Sequence, residues 1–177
     1  MEIPTITTTR LTLRAFAESD AESLHQILSE DGVLEYFPNT SPPPLDAVRR
    51  FISRQLAHWQ ERGFGWWAIE RRDRQGLIGW SGLQHLPETD EVEIAYLLGR
   101  TFWGKGLATE AAKAGLRYGF EQAGLEHIVA IVHVDNGASQ RVAQKLSMGF
   151  VDRSRYFGID CHRYAIERSH FAAEVKP

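Results

Sequence analysis

The chain has one cysteine and no long apolar run among its 177 residues. A single thiol, Cys161, excludes an internal disulfide and fits a reducing compartment, where such a residue is usually a small buried apolar group. Neither a run of about 18 apolar residues nor a charged-then-apolar leader is present. We therefore expect a cytoplasmic protein that does not cross a membrane, with residues 1–177 forming one domain.

The sequence also lacks an excess of positive charge and any metal-ligand spacing. Its formal net charge is -3 and its pI is about 6.2, so no basic surface is expected to neutralise nucleic-acid phosphates. The histidines show no His-x-x-x-His spacing, and one cysteine cannot form a cysteine ligand set. We predict that the protein binds neither nucleic acid nor metal.

A turn of small residues lies between a strand-like segment and an alanine-rich helix. Residues 92–98 alternate and then become apolar, whereas the residues after 108 repeat at helical spacing. The first N–H groups of a helix lack partners and lie at the positive end of its dipole, so this turn is suited to bind phosphate. Glycine lets the backbone approach the anion closely, and a lysine can add charge. The turn consists of Trp103, Gly104, Lys105, Gly106, Leu107, Ala108 and Thr109.

Two common phosphate loops do not match this turn. A P-loop requires Gly, four residues and then Gly-Lys-Ser/Thr, which is absent here. A Rossmann fingerprint requires Gly or Ala where Thr109 stands, and an acidic residue at a strand end about 20 residues later. Residues 124–126 begin a strand instead of ending one. The turn is therefore expected to serve a different phosphate-bearing ligand.

The remaining periodicity predicts a mixed sheet with helices on both faces. Ser19 and Glu22 form a predicted capping box at the start of the first helix, and Gly63 is expected to end the second. Further helices are predicted to begin near residues 108 and 137. The predicted strands are 9–15, 64–70, 77–86, 90–98, 127–134, 150–156 and 161–168.

Four segments in this order resemble the GNAT superfamily, the acetyl-CoA-dependent N-acetyltransferases. They are EIAY at 93–96, FWGKGLATEA at 102–111, NGAS at 136–139 and KLSM at 145–148. The similarity runs from TRLTLR at 9–14 to the last strand, and it points to the branch of ribosomal-protein N-terminal acetyltransferases. It implies an α/β (α+β) fold with a mixed, mostly antiparallel central sheet of about seven strands, helices on both faces and one splayed parallel strand pair.

The resemblance also implies where acetyl-CoA would bind. Strands 90–98 and 127–134 would be parallel neighbours that separate at their C-terminal ends and open a wedge. Backbone groups there lose their ladder partners, and the amide-rich pantetheine arm can pair with them. The pyrophosphate then falls on the glycine turn. Besides the turn residues, the implied cofactor contacts are Leu97, Leu98, Gly99, Asn136 and Ser139.

Glu93 is the predicted general base. An amine is protonated near pH 7 and must lose a proton before it attacks a thioester. Alternation places Glu93 and Ala95 on one face of their strand and Tyr96 on the other, and family members often carry a catalytic glutamate here. A backbone N–H from residues 97–99 is expected to stabilise the acetyl oxygen. The alternative is that Glu93 forms an ion pair with an arginine on a solvated edge.

Ser139 is the predicted general acid for the leaving CoA thiolate. Many family members use a tyrosine two residues before the lysine of a Lys-Leu-Gly sequence, but Ala143 occupies that position here. The ribosomal-protein branch uses a serine instead. Asn136 and Ser139 equally suit the start of a helix, where their side chains would accept from free N–H groups, so capping remains an alternative for both.

The acceptor side is assigned by the resemblance alone. Tyr36 and Phe37, in the loop between the first two helices, and His85, near the end of a hairpin strand, are expected to contact the substrate. The acceptor is a protein N-terminus, a lysine or a small amine. A second hypothesis is a non-catalytic acyl-CoA-binding sensor or scaffold, which the missing tyrosine favours. Monomer and homodimer both remain open.

Overall fold

The structure is a computed structural model that describes residues 2–174. Its strands are β1 (Ile6–Thr7), β2 (Leu11–Arg14), β3 (Trp66–Arg71), β4 (Leu77–Leu86), β5 (Glu91–Leu98), β6 (His127–His133), β7 (Gly149–Tyr156) and β8 (Ile159–Glu167). Its helices are α1 (Ala21–Leu28), α2 (Leu45–Arg62), α3 (Leu107–Glu121), α4 (Gly137–Lys145) and α5 (Arg168–Glu174). None of the helices within this range has the length and apolarity needed to cross a membrane.

The eight strands form one sheet in the order β1-β2-β3-β4-β5-β6-β8-β7. Every neighbouring pair is antiparallel except β5 and β6, which run parallel in the middle of the sheet. Parallel neighbours need a long crossover, and here α3 provides it between β5 and β6. The mixed, mostly antiparallel sheet with a parallel pair is therefore confirmed.

Three local features differ from the sequence predictions. β1 spans two residues, too few to show a periodic pattern, and α5 follows β8 with no glycine or proline between them. The Ser19 capping box does not form. A 3₁₀ turn over Glu18–Asp20 precedes α1, and the Asp20 carboxylate accepts from the Ala17 N–H at 2.8 Å.

Helices cover both faces of the sheet and define two apolar clusters. On the face covered by α1 and α2, Leu24 and Ile52 pack with Trp66, Trp80 and Leu97. On the opposite face, α3 packs on β4 and β5 with Gly115 and Gly119 at the contact. A side-chain carbon at Gly115 would come 2.7 Å from Ile94 Cδ1, so glycine is what lets this helix lie close to β5. Consecutive β5 side chains thus face different layers.

Candidate active site

A cleft opens in the middle of the sheet, where β5 and β6 separate. Their ladder pairs Glu93 with Val129, and beyond this pair residues 94–98 and 130–133 line the cleft. The cavity volume is about 660 Å³. Side chains from both faces of the sheet line the cavity, so it connects the α1–α2 side of the molecule with the α3 side.

The glycine turn, residues 103–109, forms one lip of the cleft. Gly104 and Gly106 have φ angles of +71° and +73°, in the left-handed region that glycine occupies without strain. The first intrahelical bond of α3 runs from the Glu110 N–H to the Gly106 carbonyl at 3.1 Å. The N–H groups of residues 107–109 therefore precede the helical ladder and lie at the positive end of the helix dipole. This geometry suits an anion.

Lys105, whose charge is expected to add to the phosphate site, does not itself line the cleft. Its ammonium donates to the Thr101 carbonyl at 2.7 Å. A different cation holds the turn: Arg10 Nη1 donates to the Lys105 carbonyl at 2.8 Å, and Arg10 Nε donates to Glu110 at 2.6 Å. Thr8 also donates to Glu110, at 2.7 Å. We call these four residues, Thr8, Arg10, Lys105 and Glu110, the turn clamp.

At the end of β5, the backbone groups alternate between β4 and the cleft. The Gly99 N–H donates to the Ile78 carbonyl at 2.9 Å, and Gly99 does not line the cleft, contrary to expectation. By alternation, the Leu97 N–H also faces β4, whereas the Leu98 N–H faces the gap. The Leu98 carbonyl accepts from the Trp103 indole at 2.7 Å. Among residues 97–99, Leu98 is therefore the one whose backbone N–H points toward the cleft.

Glu93 lies where the two strands part, and only 6% of its surface is exposed. Its Oε2 accepts from Gln84 Nε2 at 2.9 Å, and the Ile131 N–H also bonds to the carboxylate. Burial raises the pKa of Glu93 to about 7, although these two hydrogen bonds favour the charged form. The expected alternative, an arginine pair, forms instead at Glu91, whose carboxylate lies 2.5 Å from Arg163. A carboxyl group that titrates near neutrality is suited to proton transfer.

The start of α4 forms the wall facing β5. Asn136 Oδ1 accepts the Ser139 N–H at 3.0 Å, so Asn136 caps the helix and keeps its amide nitrogen as a further donor. The Tyr96 hydroxyl donates to the Ser139 carbonyl at 3.4 Å. Burial raises the pKa of Tyr96 to about 12, and the nearby Glu93 adds to this rise. All three side chains line the cleft, with Tyr96 and Ser139 in contact.

The loop between α1 and α2 covers the cleft from the α1–α2 side. Tyr36 and Phe37 both line it. The Tyr36 ring contacts His133 of β6, with centroids 5.3 Å apart, and Phe37 packs edge-on against Trp80 of β4 at 6.5 Å. Since these contacts lie on different sides of the gap, the loop bridges the two separated strands.

His85 does not line the cleft, contrary to expectation. Its ring is hydrogen-bonded to Asp90 at 2.8 Å, near the other end of β5. Successive residues of a strand point to opposite faces, so His85 and Gln84 point away from each other. Gln84 occupies the lining position and contacts Glu93.

A sequence profile of the acetyltransferase (GNAT) domain matches residues 10–149. The chain belongs to the GNAT acetyltransferase family. GNAT acetyltransferases take the acetyl group from acetyl-CoA. The chain is 35% identical over 148 residues to an uncharacterized N-acetyltransferase, YoaA of Bacillus subtilis (strain 168), with 83% of this chain and 82% of that protein covered.

Solved GNAT structures share the fold of this chain. An acetyltransferase from Agrobacterium tumefaciens str. C58 aligns with a TM-score of 0.81 and 28% identity, over 94% of this chain and 96% of that chain. RimL, a ribosomal L7/L12 alpha-N-protein acetyltransferase solved in complex with coenzyme A, aligns with a TM-score of 0.79 and 21% identity, over 93% and 98%. At that identity, the second likeness supports the fold alone.

In this GNAT chain, one cleft gathers most of the residues that the sequence singled out. Gly99, Lys105 and His85 stand outside it. Within residues 2–174, no group of three or more His, Cys, Asp and Glu side chains is arranged to hold a metal ion. The residues present in the cleft are Tyr36, Phe37, Glu93, Leu97, Leu98, Trp103, Gly104, Gly106, Leu107, Ala108, Thr109, Asn136 and Ser139.

Sequence reasoning missed several residues of this GNAT cleft. One is Gln84, which lies beside Glu93 and whose residue type alone does not indicate a site. Because side chains alternate along a strand, considering both Gln84 and His85 could have identified it. Tyr96 lies in the EIAY segment, but the sequence pattern predicts no role for its hydroxyl, which contacts Ser139 in the cleft. Trp66 and Trp80 line the cleft as well, and their apolar character alone predicts only core packing.

Proposed function

We propose that this protein transfers the acetyl group of acetyl-CoA to a primary amine by direct attack in a ternary complex. The observation that carries the proposal is the cleft itself, because it joins the N-terminus of α3 to the buried Glu93 through the gap in the sheet. The reaction needs an anion site to bind the pyrophosphate of acetyl-CoA and a group that titrates near neutrality to take a proton from the amine. Family membership supports the reaction type.

Acetyl-CoA would be held on the α3 side of the cleft. The free N–H groups of residues 107–109 and the glycines of the turn would receive the pyrophosphate, since the backbone there is accessible. The Leu98 N–H and the amide of Asn136 would pair with the pantetheine arm across the gap. Because the Leu98 N–H faces the gap, it would also stabilise the acetyl oxygen as negative charge develops.

Glu93 would act as the general base. At a pKa of about 7, a large fraction of its carboxyl groups is ionised at neutral pH, and burial makes the charged form ready to accept a proton. The Gln84 amide and the Ile131 N–H fix the carboxylate in place. Glu93 would take the proton from the ammonium form of the acceptor, directly or through a water, so that the free amine attacks the thioester.

Tyr96 and Ser139 would hold the leaving sulfur. A thiol with a pKa near 8.5 is a fair leaving group without protonation. With a pKa of about 12, Tyr96 is a weaker acid than that thiol, and the alcohol of Ser139 is weaker still. We therefore assign both hydroxyl groups as hydrogen-bond donors to the thiolate, which modifies the role of general acid expected for Ser139.

The proposal is tested by CoA release from acetyl-CoA with a panel of N-terminal peptides, lysine peptides, polyamines and amino acid amides. Turnover with one class of amine, lost in Glu93→Gln and kept in Glu91→Gln, would support it. Glu91 is the matched control because it lies on the same face of β5 but pairs with Arg163 outside the cleft. Tight acetyl-CoA binding without turnover on any amine would instead favour the sensor.

A further inference from the structure

The turn between β7 and β8 consists of Phe157 and Gly158. Tyr156 and Ile159 form the last pair of the ladder, so only two residues connect the strands. Both turn residues have positive φ angles, +53° and +81°, as a type I′ hairpin turn requires. Asparagine, aspartate and glycine are the usual residues at the first position of such a turn, because they tolerate a left-handed backbone. A phenylalanine at this position is strained.

The Phe157 ring is not part of the core that holds the fold together. It belongs to neither apolar cluster, and its exposed fraction is 48%. The turn itself is held by a backbone contact, since Arg155 Nη2 donates to the Gly158 carbonyl at 2.5 Å. Trp103 is also exposed and lines the cleft, but its indole N–H anchors it to the Leu98 carbonyl. Phenylalanine has no polar group that could anchor its ring in this way.

The β7–β8 turn stands at the open end of the cleft. Cys161 of β8 pairs with His133, the last residue of β6. The Val134 N–H then donates to the Asp160 carbonyl at 3.2 Å. The turn therefore extends past the end of β6, where β5 and β6 have separated. Phe157 lines the cleft at this end.

The cleft-lining side chains of β8 lie on the same face of the sheet as Glu93. Arg163 lies 2.5 Å from Glu91, and side chains two residues apart on a strand share a face. Cys161 and Ile159 precede Arg163 at this spacing, and both line the cleft. Burial raises the pKa of the Cys161 thiol to about 11, and the charge of Glu93 adds to this rise. This edge of the cleft is thus on the α1–α2 side, opposite to the side proposed for acetyl-CoA.

From these features we infer that Phe157 determines acceptor specificity, because its ring packs on the apolar part of the acceptor at the open end of the cleft. The inference rests on the proposed acetyl transfer and adds a contact to the same site. Strained residues cluster where a ligand is held, since the strain places a side chain that a relaxed turn would not place there. Burial of the exposed ring against the acceptor supplies the apolar contact that the fold does not.

The test measures CoA release with ethylamine, butylamine and hexylamine, and it gives kcat/KM for each amine and the KM for acetyl-CoA. The amino group is the same in all three, so their ratios isolate the contact made by the alkyl chain. Phe157→Asn removes the ring and relieves the strain, whereas Phe157→Tyr keeps both. Ser147→Gly is the matched control, because Ser147 has a φ angle of +59° but does not line the cleft.

We expect the unaltered protein to prefer hexylamine over ethylamine by about tenfold, as the partial burial of four further methylene groups implies. Phe157→Asn should lower this preference by about fivefold and raise the melting temperature by about 3 °C, because the turn is relaxed. Phe157→Tyr should keep both values close to those of the unaltered protein. Ser147→Gly should raise the melting temperature and leave the preference unchanged.

Equal use of the three amines, an unchanged preference in Phe157→Asn, or the same loss in Ser147→Gly would overturn the inference alone. A lower melting temperature for Phe157→Asn would assign the ring to the fold, and a raised KM for acetyl-CoA would assign it to the cofactor. Either result would also overturn the inference. The absence of turnover with every amine of the wider panel would contradict the proposed transfer as well.

Discussion

Glu93 is set apart from the other glutamates by its position under the separating strands. Burial holds its pKa near 7, so the base form predominates only above that pH. We expect kcat/KM to rise with pH through an inflection near 7. Glu93→Gln should lower kcat/KM by roughly 10²- to 10⁴-fold and remove this inflection, leaving only the titration of the amine. A pH–rate profile of both proteins measures this, and an unchanged inflection in the variant would assign it to another group.

The same burial predicts an effect on stability. The folded carboxyl group, with a pKa of about 7, keeps its proton between pH 4.5 and 7, whereas the unfolded one has already lost it. The free energy of unfolding therefore falls as pH rises through this window. Glutamine does not titrate, so Glu93→Gln removes this fall in the free energy of unfolding. Gln84 can turn its amide to form a hydrogen bond with the new carboxamide. At pH 8 we expect the variant to gain up to about 3 kcal/mol relative to the unaltered protein.

Urea titrations of both proteins at pH 4.5 and pH 8 provide the measurement. The difference between their unfolding free energies should be larger at pH 8 than at pH 4.5. A difference that stays constant over this range would mean that Glu93 does not hold its proton in the folded state.

For single residues, the sequence pattern predicts which face of a strand a side chain occupies, but not which groups the side chain contacts. Alternation placed Glu93 and Tyr96 on opposite faces of β5, as the packing of Ile94 against α3 also requires. The same reasoning could not find that Lys105 bonds backward to Thr101. A loop has no period, so the direction of its side chains depends on contacts that are distant in sequence.

The turn clamp leads to a prediction for a whole element. Arg10 neutralises Glu110, which would otherwise place a negative charge in the first turn of α3, and it ties the glycine turn to the start of β2. We expect Arg10→Ala to raise the KM for acetyl-CoA by about tenfold, the usual worth of a charge-assisted hydrogen bond, with a smaller change in kcat. Arg10 acts here through the turn, so it is a positioning residue.

Arg72→Ala is the control for this variant. Arg72 donates to the Thr8 and Thr9 carbonyls at 3.1 Å, so it holds the same chain segment without touching the glycine turn. Steady-state kinetics should give a raised KM for Arg10→Ala alone. An equal rise in both variants would mean that the segment needs general support and that the clamp has no specific role.

Two glycines of β4, Gly79 and Gly82, leave no room for a side chain, because backbone from the neighbouring strands approaches them closely. A side-chain carbon at Gly82 would lie 2.2 Å from the Gly65 carbonyl oxygen, a contact that no rotamer can relieve. We expect Gly82→Ala to lower the free energy of unfolding by at least about 2 kcal/mol. Gly149→Ala, where the nearest atom lies 4.0 Å away, should have a small effect. Comparable losses in chemical denaturation would contradict this account.

For the molecule as a whole, the hydrophobic pattern predicted the long strands of the sheet but neither its short edge strand nor the cleft. All seven predicted strands overlap observed ones, since each carried alternation or a β-branched run. β1 has two residues and no pattern, and it exists because β2 offers it an edge. The cleft was implied by the resemblance alone, because the separation of two strands leaves no mark in the hydrophobic pattern of either.

The gap also predicts how ligand binding changes the whole fold. A ligand that pairs with β5 and β6 adds hydrogen bonds where the sheet has none, and at 100 times its Kd it stabilises the protein by about 2.7 kcal/mol. We expect CoA to raise the melting temperature and to slow amide hydrogen exchange in residues 94–98 and 130–133. Slower exchange confined to β1, β2 and β3 would place the ligand elsewhere.

Within the described chain, the ladder between β5 and β6 is reduced to the pair of Glu93 and Val129. Backbone pairing therefore divides the sheet into two parts, β1 to β5 and β6, β8 and β7, which this one pair joins. Glu93 belongs to that pair, and the next residue of β5, Ile94, lies over Gly115 of α3. The width of the cleft is thus set by the packing that holds the two parts together, namely α3 and the loop contacts of Tyr36 and Phe37.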